Sequence, residues 1–472
     1  MKGITRLRNR LRGPGGVIEL LGVAVPLFVS NACETVMLFT DRLFLARVGP
    51  AQVSASMGGG LTAFMFMTFF LGLTGYANAL VAQYYGAGRR ERVARVVAQA
   101  LWISLAAYPI ILCCIPLGRR LFDVMGVASA QQIYQRPYFT ILMCGSLLGL
   151  LRHSVSAHFS GIGRTRTIMA AAAVMMAVNI GANYVLIFGK LGLPALGIRG
   201  AAFGTLLGSF AGLLTLGGVY FGRRNRRAYG TVAGLRWDGP VLRRLLRFGY
   251  PAGVEFCLNM VAFNLLVMTF HSYGVEVALA VTAAFSWDMV SFIPLIGCNV
   301  AVTSLVGRYV GASRHDIAHR ATMSALGAVG LYAAVIVVVF SLFPQALAGV
   351  FRPSGDDAVF ARALPLAAFM VRLVSVYVFA DAVGLVFSGA LRGAGDTLMT
   401  MVISVSSHWL LTLSGLILVR GLHAPPRVAW SVVVVLVWSI GLAFCARYRT
   451  GRWRHIAVIE RAAPIPPPES VP

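Results

Sequence analysis

Six ionisable residues stand inside stretches that are otherwise apolar enough to cross a membrane: Glu34, Asp41, Glu255, Asp288, Arg372 and Asp381. An acid at the centre of a membrane helix costs about 2.5–3.5 kcal/mol on insertion scales, so the set facing lipid would cost roughly 10 kcal/mol or more. They must therefore face one another or water. Loss of hydration disfavours the charged form of a carboxyl, which makes these acids candidates to take up protons or to hold a cation. Glu34 and Asp41 are seven residues apart, on one helix face with about 10 Å of rise between them. Arg372 and Asp381 are nine apart and half a turn out of phase, so they cannot pair along their own helix, whereas Tyr377 lies one turn before Asp381 and can reach it. Other chemistries lack their residues. His153 and His158 are five apart, and Gly58-Gly59-Gly60 has neither the lysine nor the strand of a phosphate loop. The cysteines (Cys33, Cys113, Cys114, Cys144, Cys257, Cys298, Cys445) have no metal-like spacing and read as small buried hydrophobes. The sequence predicts neither an enzyme nor a cofactor-binding protein.

These groups must be carried by helices in a bilayer. The chain has 472 residues, of which 58% are hydrophobic and only 12% charged, with a mean hydropathy of +0.77; a soluble protein carries about 25% charged residues. Apolar runs of spanning length fall at 18–40, 54–80, 93–116, 133–158, 167–189, 198–221, 243–270, 277–303, 318–343, 361–387, 398–419 and 428–446. Strand-like alternation is missing, so the predicted fold class is an all-α integral membrane protein of twelve transmembrane helices. The net charge of +25 belongs to alternate loops rather than to a nucleic-acid surface. Arginines cluster before the first span and after the second, fourth, sixth, eighth and last, while the 271–276 loop has none. This asymmetry places both termini in the cytoplasm of a cell inner membrane.

The chain also repeats itself. Pro26 has a counterpart in Pro251, and Leu80-Val81-x-x-Tyr84-x-Gly86-Ala87-x-Arg89 returns 225 positions later as Leu305-Val306-x-x-Tyr309-x-Gly311-Ala312-x-Arg314. Gly161-x-Gly163-x-Thr165 returns as Gly393-x-Gly395-x-Thr397 at an offset of 232. Six spans per half make the repeats parallel, forming two lobes about an axis along the membrane normal, an arrangement typical of transporters. The organisation predicted is a basic cytoplasmic N-terminus over 1–17, lobes over 18–222 and 243–446, an arginine-rich cytoplasmic linker over 223–242, and a disordered cytoplasmic tail over 447–472. Glycine at every fourth position from Gly200 to Gly212 reads as a surface for close helix packing.

Several segments together resemble the multidrug and toxic compound extrusion (MATE) family. They are Thr40-Asp41-Arg42-Leu43-Phe44, Leu80 through Gly88, Asn179 through Gly189 with Gly197-Ile198-x-Gly200-Ala201-Ala202, and Ser388-Gly389-Ala390-Leu391-Arg392-Gly393-Ala394-Gly395-Asp396-Thr397. The resemblance implies two six-helix lobes around a central cavity, and export of mostly cationic, amphipathic small molecules in exchange for H⁺ or Na⁺. It makes Asp41, Asn179 and Asp381 counterparts of the family's first-, fifth- and tenth-span polar residues. Two positions depart from it: Asn183 stands where many relatives carry an aspartate, and Asn259 where many carry a glutamate. Glu255, one turn earlier on the same face, can substitute for the latter, and Glu34, whose repeat counterpart is Asn259, for the former. The residues assigned to ion coupling are thus Asp41, Glu34, Asn179, Asn183, Glu255, Asp288 and Asp381, with Na⁺ placed at Asp381 and Glu255. Asn259, Tyr377 and Arg372 are assigned to the substrate cavity. The expected molecule is a monomer in the bilayer, taking a drug-like or metabolite substrate and no nucleic acid. A flippase of lipid-linked substrates would want several cavity cations, and only Arg372 and Arg152 are available; a membrane-embedded enzyme would want a nucleophile or metal cluster that is missing.

Overall fold

The structure is a computed structural model that describes residues 11–352 and 358–460. The N-terminal Lys2, Arg6, Arg8 and Arg10 and the proline-rich segment 461–472 lie outside the described residues. Helices account for all regular structure among these residues. Twelve spans run in order: α1 (Val17–Ala46), α2 (Pro50–Gly86), α3 (Arg90–Cys113), α4 (Ser129–Cys144 with Ser146–Gly161, bent by 44°), α5 (Thr165–Phe188) and α6 (Ile198–Tyr220). Then come α7 (Gly239–His271), α8 (Val275–Gly311), α9 (His315–Leu342), α10 (Ala358–Ala394), α11 (Thr397–Leu416) and α12 (Pro426–Arg449). Proline at the first turns of α2, α7 and α12 fits positions whose N–H groups have no helical partner. Gly189 closes α5 in the left-handed region at φ 67°.

α2 and α8 outrun their hydropathy signal, continuing past residues 80 and 303 to Gly86 and Gly311. The extensions carry the repeated motif, and the motif packs against itself. A Cβ on Gly86 would lie 1.8 Å from the Arg308 carbonyl oxygen, and one on Gly311 would lie 2.0 Å from that of Gln83. The two contacts exchange under the 225-residue repeat. Side chains follow this symmetry to within one residue: Gln83 Nε2 donates to the Gly393 carbonyl at 2.8 Å, and Arg308 Nη2 to that of Ile162, the residue after the counterpart of Gly393, at 3.2 Å. Deeper in the bundle Gly72 abuts Ala252 and Gly253 of α7, and its repeat counterpart Gly297 abuts Phe28 of α1. Ring pairs Tyr76–Phe248, Phe69–Tyr250 and Phe64–Phe256, at 6.1, 6.4 and 5.8 Å, extend the α2–α7 seam to about the helix midpoints. These named contacts join the lobes from the arginine-rich end to mid-bundle.

Inside the first lobe the glycine stripe lets α6 touch the backbone of α5. A Cβ on Gly200 would meet the Leu186 backbone, one on Gly208 the Asn179 side chain and the Met175 carbonyl, and one on Gly204 would lie 1.9 Å from Asn183 Oδ1. Glycine here positions two polar side chains as well as two helices.

The arginine-rich end is stitched by carboxylates. Asp238 caps α7 through the Val241 amide (3.1 Å) and pairs with Arg92 and Arg95 of α3 at 2.7 and 2.9 Å. Glu19 of α1 accepts from Arg308 (3.2 Å) and the Tyr309 hydroxyl (2.7 Å) of α8. Composition predicts disorder from 447 onward, yet residues 450–460 fold back on the bundle. Trp453 is buried and stacks on Tyr448 at 5.2 Å, and Glu460 bridges Arg89 of the loop before α3 and Arg244 of α7. Aromatic burial outweighs the segment's polar character.

Two outcomes are expected. Gly86→Ala and Gly311→Ala should each destabilise the folded protein by about 1–3 kcal/mol through overpacking against backbone, whereas Gly327→Ala, with nothing within 4 Å of the new methyl, should not; melting in detergent separates them. For Asp238, burial opposes ionisation, but hydrogen bonds from Arg95 and the Val241 amide and the nearby Arg92 charge hold its carboxyl below the usual carboxylate range. Its stabilising effect is therefore full above about pH 4 and fades as pH falls through the depressed value. Asp238→Asn should melt below wild type at pH 7, and the gap should close on strong acidification.

Candidate functional site

The first-lobe site is assembled from α1, α5 and α6. Asp41 sits in the C-terminal half of α1 and is only 5% exposed. Its Oδ1 accepts from Asn183 Nδ2 of α5, and the Thr205 hydroxyl of α6 stands 3.5 Å from Oδ2. Asn183 Nδ2 also reaches Asn179 Oδ1 at 3.3 Å, one turn down α5. Asn179 and Asn183 are fully buried, and Asn179 Nδ2 and Asn183 Oδ1 find no partner in the structure. Asp41 has no ion-pair partner among the described residues; its polar neighbours are two amides and a hydroxyl. A buried carboxylate whose hydrogen-bond partners are neutral, with only the charge of the adjacent Arg42 nearby, is costly, and a proton or a small cation would relieve it. Asp41, Asn179, Asn183 and Thr205 together present side-chain oxygens, the donor type that suits a hard cation.

Glu34 is not part of this cluster. It pairs with Arg152 of α4 at 3.1 Å, and the pair is partly exposed, with side chains 40% and 25% accessible. Nothing in the sequence joins Arg152 to Glu34, because the two are 118 residues apart.

In the second lobe two of the assigned acids meet. Asp288 of α8 is buried, and Tyr377 of α10, also buried, stands near it across the helix pair. Asp381, half-buried one turn beyond Tyr377, lies within electrostatic reach of Asp288. Tyr377 thus lies close to the acid on the neighbouring helix as well as to its own. Glu255 stands elsewhere. It pairs with Arg392 near the arginine-rich end of α10 at 2.5 Å, eleven residues and therefore about 16 Å along the helix from Asp381. The structure does not bring Asp381 and Glu255 to one ion site; Asp288 occupies the place expected of Glu255. Asn259 donates to the Ser404 hydroxyl of α11 at 2.8 Å, with its Oδ1 unpartnered. Arg372 is exposed and joins none of these groups. Among the described residues no group of three or more His, Cys, Asp and Glu side chains could hold a metal.

Three contributors escaped the sequence. Thr205 follows a stripe glycine, Arg392 sits in the Gly-x-x-Arg-Gly run at the α10 end, and His408 of α11 lies near enough to Glu255 to feel its charge. The signal was present only for Arg392, as a cation in an apolar span facing no acid on its own helix.

Comparison with known proteins fits this geometry. The MatE family model matches residues 26–185 and 251–416, one segment in each lobe. The chain is 28% identical over 397 residues to a probable multidrug resistance protein NorM of a Synechococcus strain, covering 83% of this chain and 84% of that one. It is 26% identical over 471 residues to the multidrug resistance protein PmpM of Pseudomonas aeruginosa, covering 96% of each. Among solved structures, a MOP superfamily transporter from Pyrococcus furiosus superposes with a TM-score of 0.85 at 19% identity, covering 94% of this chain and 98% of that one. A MATE family transporter in an outward-facing conformation gives 0.84 at 20% identity, covering 94% and 98%. At those identities the structures speak for the fold, and the family model, matched over most of the chain, speaks for descent. The chain belongs to the MATE family of transporters.

Proposed function

We propose that this protein is a secondary-active exporter that exchanges H⁺ or Na⁺ for amphipathic, often cationic small molecules by alternating access. It works as a monomer in the cell inner membrane with both termini cytoplasmic, and it performs no covalent chemistry. The observation that carries the reading is Asp41, a buried acid with amide and hydroxyl neighbours and no basic partner. A permanent arginine partner would fix its charge; without one, ion binding can change it. Relatives named for multidrug resistance support a drug-like substrate. The lobes are held together from the arginine-rich end to mid-bundle, which fits a state open toward the other side. Exchange requires only that ion and substrate favour different lobe arrangements. The Asp288–Tyr377–Asp381 group is the second-lobe counterpart of the Asp41 site. Glu34 and Glu255 are tied to Arg152 and Arg392 and act as structural pairs. Arg152, neutralised in this way, offers no free positive charge to a lipid pyrophosphate, which disfavours the flippase alternative.

The test is dye efflux from everted membrane vesicles with an imposed pH gradient or an imposed Na⁺ gradient, applied separately. Wild type should respond to one of the two. Asp41→Asn should remove that response, a drop of roughly 5–150-fold, with expression near normal. If Asp41→Asn keeps full gradient-driven efflux, the coupling site lies elsewhere.

The second lobe yields a separate expectation. Asp288→Asn and Asp381→Asn should each reduce gradient-driven efflux, and the double variant should do little more than the worse single one, because the two acids act as a unit. Additive losses would mean independent roles, and wild-type efflux in all three would remove this lobe from coupling.

A further inference from the structure

The repeat that shapes the lobe interface also exposes a difference between the lobes. In the second half, the Gly393-x-Gly395-x-Thr397 turn carries Asp396, and Arg447 in the last turn of α12 closes on it with an ion pair at 2.7 Å. Both side chains are largely buried. In the first half, the equivalent turn, Gly161-x-Gly163-x-Thr165, carries Arg164 instead. The segment after α6, counterpart of the α12 end, supplies Arg223 and Arg224 and no acid. One lobe contains both halves of its ion pair; the other contains only cations.

These cations line a cavity of about 370 Å³ formed by Arg164, Thr167, Val219, Arg223, Arg224 and Asn225 with Gly222. No carboxylate lines it. Arg164 donates to buried Asn225 Oδ1 at 3.3 Å, and Asn225 Nδ2 donates to the Val219 carbonyl at 2.8 Å. A neutral amide therefore holds the Arg164 guanidinium in place without cancelling its charge. Arg223 and Arg224 are exposed and form no ion pair among the described residues. The cavity opens where α5 begins and α6 ends, at the level of a membrane surface. Val219 and Phe221, 44% and 42% exposed, present apolar area beside it.

We propose that this pocket binds the phosphate group of an anionic phospholipid from the leaflet at the arginine-rich end. The external phosphate takes the place that Asp396 fills internally in the second lobe. Arginine suits it because its planar donor set engages two phosphate oxygens at once. Basic pockets between spans on the cytoplasmic side are recognised headgroup sites. The exposed Val219 and Phe221 favour a lipid over a free phosphate ester, since acyl chains can run along them. Because α5 and α6 also carry Asn179, Asn183 and Thr205, a lipid clamped at their ends would steady the helices that frame Asp41.

The experiment is native mass spectrometry of delipidated, full-length protein in detergent, titrated with dioleoyl phosphatidylglycerol, with dioleoyl phosphatidylcholine, and with phosphatidylglycerol against glycerol 3-phosphate. Wild type should bind phosphatidylglycerol saturably and phosphatidylcholine not. Arg223→Gln/Arg224→Gln should weaken phosphatidylglycerol binding about 30-fold, the effect of two surface cations. Arg226→Gln/Arg227→Gln, which removes two exposed arginines outside the pocket, should leave it nearly unchanged. Wild-type binding in the first double variant, or an equal loss in the second, overturns the pocket. Full displacement of the lipid by equimolar glycerol 3-phosphate overturns the lipid assignment in favour of a free phosphate site. Since the readout is binding alone, the result stands apart from any outcome on transport.

Discussion

The meeting of the two lobes depends on a backbone-to-backbone contact between α2 and α8. Gly86 touches the Arg308 peptide and Gly311 touches the Gln83 peptide, so the two halves meet through equivalent surfaces. No side chain larger than hydrogen fits at either place. The contact brings the ends of both helices close enough for Gln83 and Arg308 to bond to carbonyls beyond them. Glu19, Tyr309 and Arg244 then close the same end. A seam of this kind is tight at its backbone contacts, its polar end can be rehydrated on separation, and the aromatic pairs of α2 and α7 add apolar area that must be covered again in the other state. Such an interface can hold one state of a transporter without trapping it.

The charges within the bilayer are governed by a second constraint, the cost of an unpaired ion. The chain meets it in two ways. Glu34 and Glu255 receive arginines and become neutral pairs. Asp41 and the Asp288–Asp381 group have amide or phenol neighbours and, among the described residues, no ion pair with an arginine. The first solution fixes charge; the second leaves it free to vary with ion binding. On the function proposed above, the division between structural and coupling acids is a division by partner, and it falls once in each lobe.

Much of this was legible in the sequence. The twelve spans, the parallel repeat and the polar residues of α1, α5 and α10 follow from hydropathy, offset and residue type. The partners do not. Periodicity says that Glu255 lies on a given face of α7, but whether it meets Asp381 or Arg392 depends on the axial register of α7 against α10, and local sequence carries no such information. The same limit applies to Glu34 and Arg152. The repeated Leu-Val-x-x-Tyr-x-Gly-Ala motif was visible, while its role as a surface that packs on its own copy needed three dimensions. The tail departs from its composition for a simpler reason: Trp453 and Val458 are few among polar residues, but each finds a buried place.

The central claim is that the glycine-mediated seam is one end state of a cycle in which the lobes reopen at the arginine-rich end as they close at the other. Electron–electron distance measurements between spin labels test it most directly, in a variant whose native cysteines are replaced. One label pair, at Arg166 and Arg320, reports the arginine-rich end, and another, at Lys190 and His423, reports the opposite end; all four positions are exposed. In liposomes holding tetraphenylphosphonium under an ion gradient, the first distance should lengthen as the second shortens. Unchanged distances during active transport, or two distances that lengthen together, would contradict the account.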